Sequence, residues 1–210
     1  IISPPEGIEG EIQSLIDAGI PVVLFDRHLP GVATDVVEVD NQKSTFNATS
    51  YLIGKGYAHI AFVTFSSSLT QMEARLAGYK EAISAAGLDT CILEIDFNQN
   101  DEHIINPIAD FFKENKQGDA GVFGALQAGT NGLKAFRKIG YTIPGDIAAI
   151  SYDDCDVFQL YSPSITAIVQ PINKIADAAI DLLIKRLKTP ASNPKTLVME
   201  TELIHRKSSR

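Results

Sequence analysis

Short apolar runs alternate with helix-type patterns along most of this chain. Residues 60–65 form an apolar run, and the pattern over 71–86 places Leu76, Tyr79 and Ile83 on one helical face before Gly87. Runs of the same kind occur at residues 20–25, 36–39, 91–95, 121–124 and 147–152. Apolar runs without polar alternation are typical of parallel strands that are buried on both faces. The pattern therefore predicts an α/β fold built from doubly wound parallel sheets.

Composition excludes several classes of protein. The 210 residues include 18 Lys and Arg against 26 Asp and Glu, a net charge of −8, which opposes DNA binding by this portion itself. The hydrophobic share of 45% is enough for a globular core of one large or two small domains. No apolar run approaches the roughly 20 residues that cross a bilayer, so no membrane association is expected. Cys91 and Cys155 lack metal or redox spacing and are predicted to be buried, unpaired thiols of a reducing compartment.

Motifs for common enzymatic chemistry are missing from the sequence. There is no G-x-S-x-G, no dinucleotide fingerprint and no phosphate-binding G-x-x-x-x-G-K-[ST] string. The histidines have no second ligand at metal spacing and are expected at surface or capping positions: His28, His59, His103 and His205. We therefore expect no enzyme, no metal and no cofactor.

Polar and aromatic side chains follow the predicted strands, where α/β proteins bind ligands. Carboxylates accept from hydroxyl groups, a guanidinium donates, and an aromatic ring covers the apolar face of a sugar. The set suits a small polyhydroxy ligand and comprises Asp26, Arg27, Ser66, Ser67, Arg75, Asp96, Phe97, Asn98, Tyr152, Asp153 and Asp154. Alternatives stay open at this point: Arg75 could pair with Glu73, Phe97 could belong to the core, and Asp153 and Asp154 could cap a turn.

Four ordered blocks extend over nearly the whole chain. They are the strand, Ser-rich loop and E-A-R-L-A-G-Y string of residues 60–87, the stretch G-Y-T-I-P-G-D-I-A-A-I-S-Y-D-D of 140–154, P-S-I-T with Q-P at 163–171, and E-L-I-H-R-K-S-S at 202–209. Together they resemble the regulatory core of the LacI/GalR family of bacterial transcription regulators.

The resemblance implies a periplasmic-binding-protein-like fold of two α/β subdomains with a small-molecule effector, usually a sugar, in the cleft between them. Residues 1–56 and 165–190 would form the N-terminal subdomain, and 57–164 and 191–210 the C-terminal one. At matching positions Arg75 would donate to the effector and Asp153 would accept, while Asp26, Phe97 and Gln170 match further cleft positions. A cytoplasmic homodimer is implied, binding operator DNA only through a helix-turn-helix head expected upstream of residue 1.

Two departures from the family pattern bear on function. The family usually carries Asn-Asp after the strand at 121–124, whereas this chain has Ala125 and Leu126, which removes from the cleft a polar pair that would contact a typical hexose. The first strands of the core are expected before Ile1 and are not in the sequence. The rival interpretation is a periplasmic sugar-binding protein of a transporter, although the R-K-S-S ending favours the regulator.

Overall fold

The computed structural model describes residues 1–97, 100–115 and 119–210, and strands alternate with helices along them. The strands are β1 (Val23–Phe25), β2 (Asp35–Val39), β3 (Ile60–Ser66), β4 (Cys91–Asp96), β5 (Ala120–Phe123), β6 (Ala148–Tyr152), β7 (Thr166–Val169), β8 (Thr196–Met199) and β9 (Glu202–Ile204). The helices are α1 (Glu9–Asp17), α2 (Asn41–Gly54), α3 (Thr70–Ala85), α4 (Asp101–Glu114), α5 (Leu126–Ile139), α6 (Asp156–Leu160) and α7 (Ile172–Lys188), with a 3₁₀ turn at Lys207–Ser209. The predicted α/β class with parallel sheets is confirmed.

The chain forms two compact units. The first comprises residues 1–40, 68–71 and 170–201, and the second comprises 41–67, 72–169 and 202–210. This division differs from the predicted boundaries at residues 41–56, 68–71, 165–169 and 191–201. Helix α2 contributes Ala48 and Leu52 to the core of the second unit, and β7 pairs with β6 of that unit. Strand β8 instead pairs with β2 in the first unit.

The first unit is built on a parallel sheet with the strand order β1-β2-β8. Helix α7 covers it through Ile175, Ala179 and Leu182, which pack on Val23 and Val37. Helix α1 contributes Ile12 to a second cluster, on Leu24 and Val36 among others. As the sequence predicts, the turn that follows α1 is made by Gly19, whose φ of 74° suits a residue without a Cβ.

The second unit contains a six-stranded sheet with the order β4-β3-β5-β6-β7-β9, parallel except for β7 with β9. Its core joins α2, α3 and the sheet, and the rings of Phe62 and Tyr79 stack at 5.1 Å. Because β3 to β6 run parallel, their carboxyl ends lie along one edge of the sheet. This edge positions most of the candidate site residues.

The two cysteines are free, but they differ in burial from the prediction. Both Cys91 and Cys155 are half-buried rather than buried. Partial burial raises the pKa of the Cys91 thiol.

Tyr79→Phe is expected to destabilise the protein by about 1–3 kcal/mol. The buried hydroxyl accepts from Cys91 N at 2.8 Å and can donate to Ile60 O at 2.8 Å, and burial raises the pKa of Tyr79 to about 12. Urea unfolding measures the loss. Tyr141→Phe is the matched control, since that hydroxyl makes one 3.3 Å bond in a partly buried place. Equal losses in both variants would contradict the assigned role of the Tyr79 hydroxyl.

Candidate functional site

Arg75 is a buried and hydrogen-bonded candidate site residue of the second unit. Helix α3 carries it after the carboxyl end of β3, and the residue is 4% exposed. Its Nε donates to Asn41 Oδ1 at 2.8 Å, and its Nη1 donates to Gly124 O at 2.9 Å and contacts the Met72 sulfur at 3.9 Å. No carboxylate of the second unit lies within ion-pair distance, so the alternative pairing with Glu73 is not formed among the described residues. The guanidinium is therefore a buried cation with neutral partners.

The aromatic ring of Tyr152 lies under the Arg75 guanidinium. Its ring, at the end of β6, lies 3.5 Å from Arg75 Cζ, which is a close cation–π contact. Its hydroxyl donates to Asn41 Oδ1 at 3.1 Å and lies 3.1 Å from Ser44 Oγ. Tyr152 and Arg75 thus both donate hydrogen bonds to the same amide oxygen, Asn41 Oδ1. Asn41 was not among the candidate site residues, although it lies only two positions after the end of β2, and a polar residue near a strand end is the signal that could have identified it.

The other candidates of the second unit lie at or directly after the carboxyl ends of β3, β4 and β6, which belong to the same sheet. Asp153 follows β6 with a φ of 65°, and Ser66 is the exposed last residue of β3. Phe97 follows β4 and is 59% exposed, so it is not a core residue. Its ring meets Phe65 edge-on at 5.5 Å. Asn98, also a candidate, lies outside the described residues.

Asp26 and Gln170 belong to the first unit. Both line a pocket of about 410 Å³ beside Ser3, Phe25 and apolar residues of α7 such as Ile172. Asp26 Oδ2 accepts from Arg27 Nε at 3.0 Å and from Nη2 at 2.7 Å. The structure brings these two candidates together, in a predominantly apolar setting.

Backbone strain marks two of the predicted residues. Among the described residues, Asp26 (φ 71°) and Asp153 (φ 65°) are the non-glycine residues with positive φ. Such conformations cost energy and are found preferentially at functional sites. Each aspartate stands directly at the carboxyl end of its strand, which supports its selection from the sequence.

The position after β5 lacks the polar pair of the family. Ala125 takes the N-cap position of α5 without a side-chain hydrogen bond, and Leu126 begins the helix. Asp154, one of the proposed turn caps, pairs with Arg206 at 2.6 Å and also has a hydrogen bond with the backbone of Cys155. The edge of the second sheet thus offers a fixed cation, a carboxylate, a hydroxyl and an exposed ring.

The described part of the chain has neither a metal-binding cluster nor a membrane-spanning helix. No group of three or more His, Cys, Asp or Glu side chains is arranged to hold a metal ion there. No helix in that part is long and apolar enough to cross a bilayer.

Comparison with known proteins identifies the family of this chain. The model of the periplasmic binding protein-like domain matches residues 49–209, which is most of the chain. The chain belongs to this family. Curated relatives of this periplasmic binding protein-like domain include the transcriptional regulator KdgR of Bacillus subtilis, 28% identical over 206 residues, and CelR of Thermobifida fusca, 31% identical over 202 residues. The resemblance to LacI/GalR regulators is confirmed.

Solved structures agree with this assignment. A CelR–cellobiose complex superimposes with a TM-score of 0.84 at 28% identity, covering 93% of this chain and 61% of that one. A LacI family regulator from Enterococcus faecium with bound ribose has a TM-score of 0.84 at 20% identity, covering 94% and 73%, and supports the fold alone. The matches to KdgR and CelR span 94% and 93% of this chain but only 59% and 58% of those two proteins.

Proposed function

We propose that this chain is the effector-binding portion of a LacI-type transcription regulator, and that its effector is a small polyhydroxy compound of the sugar class. The observation that carries the proposal is the guanidinium of Arg75, fixed on Tyr152 at the carboxyl edge of the second sheet. A donor that is already immobilised loses little entropy when a ligand hydroxyl accepts from it. The cellobiose in the related CelR structure supports the ligand class.

Each proposed contact has a chemical reason. Arg75 donates to an effector oxygen, and Asp153 and Ser66 bind hydroxyl groups. The exposed ring of Phe97 covers an apolar sugar face. Asp26 and Gln170 supply contacts from the first unit, in a cleft that remains a prediction of the family resemblance.

In the whole regulator, effector binding would change the affinity for operator DNA. In this proposal a helix-turn-helix head precedes the chain, and two copies form a cytoplasmic homodimer. The two heads then bind the paired half-sites of the operator DNA. The effector acts only if it binds the two arrangements of the subdomains with different affinity. A transporter's sugar-binding protein is the less favoured interpretation, since the named relatives are regulators.

A thermal-shift screen tests the ligand class. Neutral mono- and disaccharides, including ribose and cellobiose, are expected to yield at least one compound that raises Tm, because a ligand at about 100 times its Kd adds roughly 2.7 kcal/mol of stability. Nucleosides and amino acids at equal concentration serve as controls. A screen in which only the control compounds raise Tm would contradict the proposal.

A further inference from the structure

The hydrogen bonds of Arg75 leave it one nitrogen for a ligand. A guanidinium grips a carboxylate through two adjacent nitrogens, either Nε with Nη2 or Nη1 with Nη2. Here Nε is taken by Asn41 Oδ1, and Nη1 by Gly124 O and the Met72 sulfur. Nη2 has no hydrogen-bond partner among the described residues and is not one of the buried unpartnered atoms. Each two-nitrogen edge therefore has one member engaged by the protein.

Asn41 is itself fixed, so the arrangement is rigid. Its Oδ1 accepts from both Arg75 Nε and the Tyr152 hydroxyl, which uses the two lone pairs of an amide oxygen. Asn41 is 5% exposed and Tyr152 is 1% exposed, so water does not replace these bonds readily. A carboxylate ligand would have to displace a buried acceptor before it could use either edge.

We propose that Asn41, held by Tyr152, is a specificity-determining residue that restricts Arg75 to single-nitrogen donation and so selects uncharged hydroxyl-bearing sugars against the corresponding sugar acids. The inference rests on the proposed function and deepens it, since it names the charge class of the effector. Asn41 acts through Arg75 and is a positioning residue. Its amide carbonyl occupies Arg75 Nε and so excludes a carboxylate from that position. Specificity depends as much on rejecting the wrong ligand as on binding the right one.

Matched neutral and acidic sugars test the selection. The probes are D-glucose with D-glucuronate, and D-galactose with D-galacturonate, titrated calorimetrically into the full chain. Wild type is expected to bind the neutral member of a pair at least tenfold more tightly. Asn41→Ala frees Nε and should move that ratio at least tenfold toward the acid. Asn41→Asp keeps an acceptor on Nε and should retain the preference for the neutral sugar.

A spectroscopic readout tests the positioning without any ligand. The Nε–H proton of Arg75 should exchange slowly with water in wild type and Asn41→Asp, and at least tenfold faster in Asn41→Ala, as followed by NMR on ¹⁵N-arginine-labelled protein. Tyr152→Phe keeps the ring and should give intermediate exchange. Equal exchange in wild type and Asn41→Ala, or an unchanged neutral-to-acid ratio, overturns the inference. If neither sugar of a pair binds wild type, the proposed ligand class fails for these probes, and the exchange rates alone decide the role of Asn41.

Discussion

Gly78→Ala is expected to lower the free energy of unfolding by about 3 kcal/mol, because it forces two helices of the second unit apart. Gly78 lies in α3, where a Cβ would stand 2.1 Å from the backbone oxygen of Gln42 and 3.0 Å from Phe46 N. Both contacts are with the backbone of α2, so no side-chain rotation relieves them. Chemical unfolding followed by circular dichroism measures the effect.

Gly10→Ala provides the matched control. Gly10 is the second residue of α1, and nothing stands within 4 Å of where its Cβ would be. Alanine is the better helix former, so this variant should be at least as stable as wild type, with a gain of up to roughly 1 kcal/mol. If Gly78→Ala were as well tolerated as Gly10→Ala, the close approach of α2 and α3 would be wrong.

Arg206→Ala is expected to cost about 3–5 kcal/mol, since it leaves a carboxylate of the second unit without its partner. Arg206 contacts Asp154 through Nη1 at 2.8 Å and Nη2 at 2.6 Å, and Nη1 also donates to Ile165 O at 2.7 Å. The two side chains are only 14% and 12% exposed. Ser208 is held independently of this pair, because its Oγ donates to Ala149 O at 2.6 Å.

The contribution of this ion pair has a defined pH dependence. Hydrogen bonds from Arg206 lower the pKa of Asp154 below its ordinary value of 3.8. Because the folded pKa is lower than the unfolded one, the stabilisation is complete above that ordinary value and is lost as the pH falls through the lowered one. The gap in unfolding free energy between wild type and Asp154→Asn should be constant from pH 6 to 8, and should narrow in acid. A gap that widens in acid would contradict the ion pair.

Lys134→Ala is the control for Arg206→Ala. Lys134 pairs with Asp101 at 2.6 Å, as short as the Arg206 contact, but the side chains are 52% and 58% exposed. Exposed ion pairs are screened by water and salt, so this variant should show no resolvable change in Tm.

Much of the fold was predictable because apolar runs are local signals. The strands and most helices follow from such runs, whereas α6 was not predicted because five residues are too short for a helical period to appear. The unit boundaries also differed. Helix α2 is weakly amphipathic in sequence, and only its packing through Ala48 and Leu52 shows to which core it belongs.

The sequence positions of the candidate site residues could be predicted, but their hydrogen-bond partners could not. Arg75 and Asp153 were identified from their places near strand ends, which is a local property. The partners of Arg75 come from positions 34 and 49 residues away, and Tyr152 and Asn41 are 111 residues apart. Such pairings depend on how β2, β5 and β6 are arranged, and no pattern in one stretch of sequence contains them. The same reason hid the Arg206–Asp154 pair, which spans 52 residues.

Effector binding at the carboxyl edge of the second sheet is the central claim, and calorimetric titration of an Asp153 variant tests it most directly. The neutral sugar with the largest thermal shift is titrated into wild type, Asp153→Asn and Asp110→Asn. Asparagine keeps the size of Asp153 and tolerates its positive φ, and Asp110 is an exposed carboxylate on α4 of the same unit. Asp153→Asn should weaken binding at least tenfold, about 1.4 kcal/mol, while Asp110→Asn binds as wild type does. Equal affinities for all three proteins would contradict the claim.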